Sequence, residues 1–405
     1  MGVVISCFSR VGGIGIANVL FHTARAAYRA KMLDAVICFG NRQTEIPSRF
    51  IRPIRVQPIK AVSFLKSRYY YTLKRMTLDR RCASYLRRRG CDIFHGWTTE
   101  CIRSLEEAGR IGAKTIVERP APHPATAWRL LTEEYDRWNV PFPKEDGSRW
   151  LKKIDWRYRD EVIAPAEFEL ADRVVVQSEF GVCSFLEQGY PREKLVILPR
   201  AVEMGEYPRH EGGNDSRFRV LFVGTVCLRK GFLDLVHAWD ALALPDGELW
   251  VVGEVHEEIV PFLVPYRDRP DIRFFGHVKE GVTRLFSEST VFVLPSITEG
   301  SAKTTYEAMA AGLPVITTSN AGSVVRDQID GFIVPIRDPD ALRERLLSLY
   351  ENRESARGMG ESARARVAEF SWDAYESRMI SLYSGLAGGV EGEGKGGNAL
   401  PTAIC

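Results

Sequence analysis

Short runs of valine, isoleucine and phenylalanine alternate with longer amphipathic stretches in both halves of the chain. Parallel strands that are buried under helices on both faces have this pattern. In the first half, the candidate strands are residues 3–8, 34–40, 92–97, 113–118, 172–178 and 194–199. In the second half, they are residues 219–224, 248–253, 272–276, 291–296, 314–318 and 331–335. The pattern predicts an α/β protein with two Rossmann-like, doubly wound domains.

The chain has 405 residues, which favours two domains because domains usually have about 100–200 residues. A polar stretch with glycine and proline, residues 206–217, is the predicted linker between an N-terminal domain (1–205) and a C-terminal domain (218–370). Residues 371–386 are predicted to form a helix that returns to the N-terminal domain, and the glycine-rich residues 387–405 to be disordered. We expect the functional site in the cleft between the domains, where the carboxyl ends of both sheets meet.

The composition is that of a globular protein, with 45% hydrophobic and 26% charged residues, and it excludes collagen-like, coiled-coil and largely disordered classes. No apolar run reaches the roughly 18 residues that span a bilayer, and the first residues lack the charged start and cleavage site of a secretion signal. We therefore expect a cytoplasmic protein, either free or peripheral at the inner face of the membrane.

The charge is unevenly distributed. Residues 60–89 carry a formal charge of +9 and the rest of the chain −6, for a net charge of +3. Within this segment an apolar stripe recurs at helical spacing beside basic residues. The stripe is Leu65, Tyr69, Leu73 and Met76, and the basic neighbours are Lys66, Arg68, Lys74 and Arg75. One interpretation is a solvated helix on the core, and the other is attraction to an anionic membrane or an acidic acceptor.

The string PSITEGSAKTTYEAMAAGLPVI (295–316) holds two carboxylates, Glu299 at a strand end and Glu307 within the following helix. The first backbone amides of that helix predict an anion site. They belong to Ser301, Ala302 and Lys303. Glu307 can accept two hydrogen bonds from a diol such as ribose, and Glu299 can accept them from sugar hydroxyls. Either carboxylate alone is also explained by the helix dipole, but the whole string disfavours that interpretation.

A second motif, FVGTVCLRKG (222–231), ends a strand at Gly224 and places Arg229 and Lys230 before a helix that starts after Gly231. Adjacent cations at a helix start oppose the helix dipole. A bound polyanion therefore explains their placement better than helix stability does. A solvated turn is the alternative.

The first-half loop VGGIGIAN (11–18) contains Gly12, Gly13 and Gly15, which allow backbone amides to approach a phosphate or an acceptor. The loop has Asn18 where a dinucleotide fingerprint requires a third glycine, and this disfavours an NAD-dependent oxidoreductase. The cysteines lack metal-binding spacing, and Asp338-Pro339-Asp340 is interpreted as a helix cap. No metal and no cofactor are predicted.

Together these motifs resemble the second domain of the retaining glycosyltransferases of family four, which have the GT-B fold. The resemblance spans roughly residues 219–384, including DGFIVPIRDPDAL (330–342) and FSWDAYESRMISLY (370–383). It implies that the second domain holds a nucleotide diphosphate sugar and that the first domain binds a hydroxyl acceptor, such as a glycan, a lipid-linked saccharide or a small molecule. It also implies transfer with retention by front-side attack, without a metal, in a process such as polysaccharide biosynthesis.

The resemblance assigns roles to individual residues. The implied catalytic residues are Glu299, His123, Lys230 and Arg229. The implied donor-binding residues are Gly224, Thr225, Arg229, Lys230, Gly300, Ser301, Ala302, Lys303, Glu307 and Val278. His123 follows strand 113–118 near the implied position of the donor sugar, and His95 at the end of strand 92–97 is the second choice. For both histidines, a packed or surface position is the alternative.

Three departures from the family pattern bear on the site. The family loop usually begins Gly-Arg where this chain has Gly224-Thr225, and Arg229 is the candidate replacement for the missing arginine. The family often has EGFG where residues 299–302 read EGSA, so the donor sugar stays open. The usual Asn-Gly at the interdomain crossing is Arg200-Ala201 here.

Two other functions remain open at this point. One is a GT-B enzyme that does not transfer to an acceptor, such as a sugar epimerase or a phosphorylase. The other is a non-catalytic subunit that binds a sugar nucleotide. Nucleoside diphosphate release that requires an acceptor separates the transferase from both, and no nucleic-acid partner is expected.

Overall fold

The computed structural model describes residues 1–54, 67–143, 152–208, 217–278 and 280–388. Residues 209–216 of the predicted linker and residues 389–405 of the predicted disordered tail lie outside this range. None of the helices in these ranges combines the length and the hydropathy needed to cross a membrane.

The N-terminal domain is built on a parallel sheet of seven strands in the order β3-β2-β1-β4-β5-β6-β7. Its elements are β1 (Val3–Ser6), α1 (Ile16–Arg29), β2 (Leu33–Cys38), β3 (Ile51–Pro53), α2 (Ser67–Arg89), β4 (Ile93–Trp97), α3 (Ile102–Arg110), β5 (Lys114–Arg119), α4 (Pro124–Arg137), α5 (Trp156–Tyr158), α6 (Ala164–Leu170), β6 (Arg173–Val176), α7 (Glu179–Leu186) and β7 (Leu195–Ile197).

The C-terminal domain is built on a parallel sheet of six strands in the order β10-β9-β8-β11-β12-β13. Its elements, and the helices that follow them, are β8 (Phe218–Val223), α8 (Phe232–Leu242), β9 (Gly247–Val252), β10 (Ile272–Gly276), α9 (Val282–Ser287), β11 (Val291–Leu294), α10 (Lys303–Ala311), β12 (Val315–Thr318), β13 (Gly331–Val334), α11 (Pro339–Glu351), α12 (Arg353–Val367) and α13 (Trp372–Gly388). The predicted α/β class with two doubly wound domains is confirmed.

Side chains on the central strand β1 show why the first sheet is covered on both faces. Successive side chains of a strand point to opposite faces. Val3 and Ile5 belong to one hydrophobic cluster together with residues of α1 and α13. Val4 belongs to a second cluster together with residues of α2, α3, α6 and α7. An apolar run without alternation is therefore the expected sequence of such a strand.

The sequence pattern missed one strand, β3. It has only three residues, lies at the edge of the sheet beside β2, and ends in Pro53. Its side chains are mostly exposed, so no apolar run marks it. Proline is tolerated on an edge strand because one side of such a strand needs no ladder hydrogen bond.

The last helix, α13, packs on the N-terminal domain rather than on the domain that precedes it. Tyr375 and Tyr383 of α13 lie in the same buried cluster as Val3 and Ile5. The hydroxyl of Tyr375 lies 2.9 Å from Oγ1 of Thr23 in α1. Helix α13 thus crosses from the C-terminal domain and packs beside the first sheet.

Ion pairs join helix α4 of the N-terminal domain to the C-terminal domain. Arg137 donates to both carboxylate oxygens of Asp234 at 2.7 and 3.0 Å. Arg337 donates to Glu133 at 2.9 Å and to Glu134 at 2.8 Å. Asp234 and Glu134 are each about 1% exposed, which makes these contacts more than surface pairs. They hold the two domains against each other beside the cleft.

Candidate active site

The loop after β8 brings two cations to the carboxyl end of β11. The backbone of Gly231 has φ +65°, and a methyl group at this position would lie 2.0 Å from the carbonyl oxygen of Pro295. Only glycine combines that conformation with so close an approach. The close approach places Arg229 and Lys230 against the loop that follows β11.

Glu299 receives both cations. Its Oε1 atom lies 2.7 Å from Nζ of Lys230, and it also forms an ion pair with Arg229. Burial raises the pKa of Glu299, but Lys230 and Arg229 more than offset this effect and hold it below its usual value. The carboxylate is therefore ionised, and the cluster of these three residues keeps an excess of one positive charge.

Glu307 lies in helix α10, as expected, and its carboxylate is enclosed. The hydroxyl of Tyr207 donates to its Oε1 atom at 2.7 Å, and Nζ of Lys303 donates to the same atom at 2.5 Å. Tyr207 belongs to the predicted linker and is only 5% exposed. This partner could not be predicted from local sequence, because the hydrogen bond joins residues that are 100 positions apart.

One predicted amide of the anion site is not free. The backbone amide of Ala302 donates to the carbonyl oxygen of Ala321 at 2.9 Å. The expectation that Ala302 offers a free amide is therefore wrong, because a neighbouring loop folds over the start of α10. Within the described ranges, the amides of Ser301 and Lys303 have no hydrogen-bond acceptor.

Gly300 is a point of contact between the two domains. A methyl group at Gly300 would lie 2.0 Å from the carbonyl oxygen of Pro120 in the N-terminal domain. The carbonyl oxygen of Gly300 accepts a hydrogen bond of 2.6 Å from Oγ of Ser178. The Glu299 loop is thus held directly against the first domain.

An interdomain cavity of about 250 Å³ lies between the glycine loop at residues 11–18 and the start of α10. Gly13 and Gly15 line one side, and Lys303 and Tyr207 line the other. The exposed carboxylates of Glu203 and Glu206 also line it. The structure therefore brings the predicted glycine loop to the helix that carries Glu307.

Arg200 and Gln177 line the same cavity and were not predicted as site residues. Nε of Arg200 and Oε1 of Gln177 are both buried without a hydrogen-bond partner in the described part of the chain. Burial lowers the pKa of Arg200, while Glu299 and Glu307 counteract this effect. Buried polar atoms without partners are uncommon in proteins, and each needs an explanation such as a bound water, an ion or a functional role. One feature of the sequence could have pointed to Arg200: the chain has Arg200-Ala201 at the interdomain crossing, where the family usually has Asn-Gly.

His123 caps α4, and its ring is enclosed. Its Nδ1 atom accepts a hydrogen bond of 3.2 Å from the amide of Ala125, and its ring contacts Phe168, Phe185 and Tyr190. Burial and then Arg119 lower its pKa to about 4, so the ring is neutral at pH 7. Nε2 has no partner within the described residues. Contact with a donor sugar stays a prediction for His123.

His95 lies in the core of the N-terminal domain. It is fully buried, its Nδ1 atom lies 2.8 Å from the hydroxyl of Tyr383, and its ring stacks on Trp97. These contacts fit the packed histidine that was the alternative interpretation.

The remaining predicted residues, Thr225, Val278, Gly224 and Gly12, lie in four different places. Thr225 lines a cavity of about 360 Å³ together with Arg229 and the aromatic residues Trp128, Tyr135, Phe142 and Trp156. Val278 packs against the core of the C-terminal domain, and the carbonyl oxygen of Gly224 closely approaches Gly253. Gly12 lines a separate cavity in the N-terminal domain. The aromatic cavity was not predicted, because its residues come from both domains.

The basic segment 60–89 is described from residue 67 onward, so Leu65 and Lys66 lie outside the described residues. Tyr69 is buried, and Lys74 and Arg75 pack over the ring of Phe8 instead of lying on a free surface. Nε of Arg75 lies 3.6 Å from Oε2 of Glu100. Contact of this segment with an anionic membrane stays a prediction.

Comparisons with known proteins identify the type of domain. Residues 217–352 match the family model of the glycosyl transferases group 1. An uncharacterized glycosyltransferase of Methanocaldococcus jannaschii is 25% identical over 50% of this chain and 56% of its own length. The capsular polysaccharide biosynthesis glycosyltransferase CapM of Staphylococcus aureus is 27% identical over 46% of this chain and 50% of its own length. The chain thus spans about half the length of these curated relatives.

The crystal structure of Anabaena HepE in complex with UDP and glucose is similar to this chain across both domains. The TM-score is 0.65 at 14% sequence identity, and the match covers 95% of this chain and 99% of that one. At this identity the similarity establishes the fold, which is GT-B.

Proposed function

Because the chain carries the glycosyl transferases group 1 domain at residues 217–352 within a GT-B fold, we propose that it transfers a sugar from a nucleotide diphosphate sugar to a hydroxyl acceptor. The observation that carries this proposal is the convergence of Arg229 and Lys230 on Glu299 at the cleft. Two motifs that are far apart in sequence meet at the point where a donor diphosphate and its sugar would lie. HepE, which binds UDP and glucose, supports a nucleotide sugar as the donor.

The charges of the site fit the chemistry of the transfer. When the bond between the anomeric carbon and the phosphate oxygen breaks, its electron pair leaves with the phosphate. Arg229 and Lys230 stabilise the negative charge that develops on this oxygen. We assign Glu299 to the sugar hydroxyls, with the additional task of keeping the two cations in place. Glu307 is assigned to the ribose, and it must then exchange its bond with Tyr207 for the ribose hydroxyls.

We propose retention of configuration by front-side attack. The acceptor oxygen forms its bond to the anomeric carbon on the face from which the phosphate departs, and the acceptor proton passes to the departing phosphate oxygen. No protein base is needed for this step. Arg229 and Lys230 supply the positive charge at the phosphate, so we propose that the reaction is independent of a metal ion.

The proposal is tested by measuring nucleoside diphosphate release from UDP-, GDP-, ADP- and dTDP-sugars, with and without glycan, lipid-linked and small-molecule acceptors. Release that requires an acceptor supports the transferase. Turnover without an acceptor or with inorganic phosphate indicates an epimerase or a phosphorylase, and binding without turnover indicates a non-catalytic subunit. The anomeric coupling constant of the product tests retention, and EDTA tests metal independence.

A further inference from the structure

A second cavity in the N-terminal domain has a strongly basic wall. This basic cavity, of about 500 Å³, lies between the loops that follow β1 and β2 and the face of α2. Three of its lining residues are Arg10, Arg42 and Lys74, and none of its lining residues carries a carboxylate. Its other walls include Phe8, Phe39 and the glycine loop at Gly12 and Gly13.

The three cations are not neutralised. Across the residues that the structure describes, Arg10, Arg42 and Lys74 form no ion pair with a carboxylate, whereas the next residue after Lys74, Arg75, lies 3.6 Å from Glu100. Nζ of Lys74 lies 5.0 Å from the ring centre of Phe8 and 4.8 Å from that of Phe39. The rings stabilise the ammonium group but leave its charge uncompensated. Burial, and then the charge of Arg10, lower the pKa of Lys74, and a bound anion would relieve both effects.

Backbone donors add to the cations. The amides of Gly13 and Ile14 donate to no acceptor within the described residues, and they precede α1, a helix of 14 residues. Amides at a helix start favour an anion beside the cations. Fixed N–H groups and a guanidinium together match the oxygens of a phosphate group.

The position of the basic cavity indicates what the anion belongs to. Gly13 and Ile14 line both this cavity and the interdomain cavity, so the two adjoin each other. A molecule in the basic cavity therefore reaches the proposed donor from the side of the N-terminal domain. Ile14 is 95% exposed at the shared wall, which offers an apolar contact to the rest of that molecule.

We propose that the basic cavity binds the phosphate group of a phosphorylated acceptor, with Arg10, Arg42 and Lys74 as its cationic ligands. This proposal rests on the transferase function proposed above. A soluble sugar phosphate and a lipid with a phosphate headgroup share this chemistry. In either case the phosphate anchors the acceptor, and its hydroxyl extends past Gly13 toward the interdomain cavity.

The test measures binding of glycerol 3-phosphate, with glycerol as the neutral control, to protein saturated with whichever of UDP, GDP, ADP and dTDP it binds, so that the proposed donor site is occupied. A parallel arm uses phosphatidylcholine vesicles with and without phosphatidic acid. We expect binding that requires the phosphate group and that Arg10→Gln combined with Lys74→Met weakens at least about tenfold. Arg80→Gln, at an exposed position of the same helix, should leave binding unchanged. Binding of glycerol 3-phosphate indicates a soluble acceptor, and binding of phosphatidic acid vesicles alone indicates a lipid.

Two results would overturn the proposal. One is the absence of phosphate-dependent binding in both arms, and the other is equal binding by the wild type and the double variant. The exposed single variant Arg42→Gln provides a second measurement if the double variant fails to fold. Binding of UDP, GDP, ADP and dTDP is measured separately. If the wild type binds none of them, the transferase proposal fails, whereas nucleoside diphosphate binding without phosphate binding refutes only the basic cavity as an acceptor site.

Discussion

The Nζ atom of Lys230 lies 2.7 Å from the Oε1 atom of Glu299, and Arg229 pairs with the same oxygen. Under the proposed function, a donor diphosphate that enters the cleft meets two cations that Glu299 already holds in position. Preorganised charges cost no reorganisation at the moment of bond cleavage, which makes them effective in stabilising a departing phosphate. We therefore propose that Glu299 acts on the phosphate through Arg229 and Lys230, in addition to its proposed contact with the sugar.

Lys230→Ala should lower turnover by about 10²-fold or more, because loss of one preorganised donor typically has this effect. The measurement is kcat at a saturating concentration of the nucleotide sugar. Arg284→Ala serves as the control, because Arg284 forms an exposed ion pair with Glu288 in the same domain. Turnover near that of the wild type in Lys230→Ala would remove Lys230 from the phosphate site.

Replacing the two glutamates should separate binding from turnover. Glu307→Gln should weaken UDP binding by about tenfold, because it removes a charged acceptor of the ribose hydroxyls. Glu299→Gln should leave UDP binding nearly unchanged, since it removes a negative charge beside the diphosphate, and should instead lower kcat. Isothermal titration with UDP and initial-rate kinetics measure the two effects. Equal losses of UDP affinity in both variants would contradict the assigned roles.

Much of the fold follows from local pattern. The twelve predicted strands correspond to β1, β2 and β4 to β13, because each central strand is an apolar run bounded by turn residues. The edge strand β3 was not predicted, because Arg52 and Pro53 follow Ile51 and leave no apolar run at this position. Asp338 caps α11 as expected, with its Oδ1 atom 2.8 Å from the amide of Ala341.

The site was only partly predictable, because its missing members depend on how the domains face each other. Tyr207 donates a hydrogen bond to Glu307, and Arg200 lines the interdomain cavity. Both residues belong to the segment 200–207, where the chain passes from one domain to the other. No periodicity or spacing reports such a contact. The amide of Ala302 was wrongly expected to be free, because the carbonyl oxygen that occupies it belongs to Ala321, in a different loop.

Arg200→Met should weaken UDP binding about tenfold or more without destabilising the protein. The loss of affinity follows from removing a cation with a free donor in the interdomain cavity. Stability should hold, because Arg200 pairs with no carboxylate among the residues that the structure describes, and an enclosed cation without such a partner costs free energy in the unliganded fold. The control is Arg353→Met, since burial also lowers the pKa of Arg353, which packs on Phe218 and Tyr350. Lower stability with unchanged UDP affinity would make Arg200 a structural residue.

Gly300→Ala should impair catalysis through the domain contact. The new methyl group would lie 2.0 Å from the carbonyl oxygen of Pro120, so the Glu299 loop or the N-terminal domain must move. A displacement of this size typically costs about 10²-fold in rate. Gly358→Ala is the control, because a methyl group there meets no atom within 4 Å. Unchanged kcat in Gly300→Ala would show that catalysis does not need the closed contact.

The stability of the protein should depend on pH through Glu100, a residue 3% exposed beneath the loop after β1. Burial raises its pKa to about 7, although the charge of Arg75 and the amide of Phe8, which donates to Oε1 at 2.7 Å, both oppose this effect. The folded protein therefore keeps a proton on Glu100 where the unfolded chain has lost it. The protonated carboxyl therefore contributes fully to the free energy of unfolding below pH 4.5. This contribution is lost as the pH rises from 4.5 to 7.

Glu100→Gln mimics the protonated carboxyl and should remove this dependence, because the amide oxygen can still accept from Phe8. The free energy of unfolding of the wild type should fall, relative to the variant, by up to about 3 kcal/mol between pH 5 and pH 8. Urea titrations across this range give the two slopes, and Glu106→Gln at an exposed position is the control. Burial also raises the pKa of Glu167 to about 7, so the variant should keep part of the slope. Identical slopes in wild type and variant would mean that Glu100 is ionised in the folded protein throughout this range.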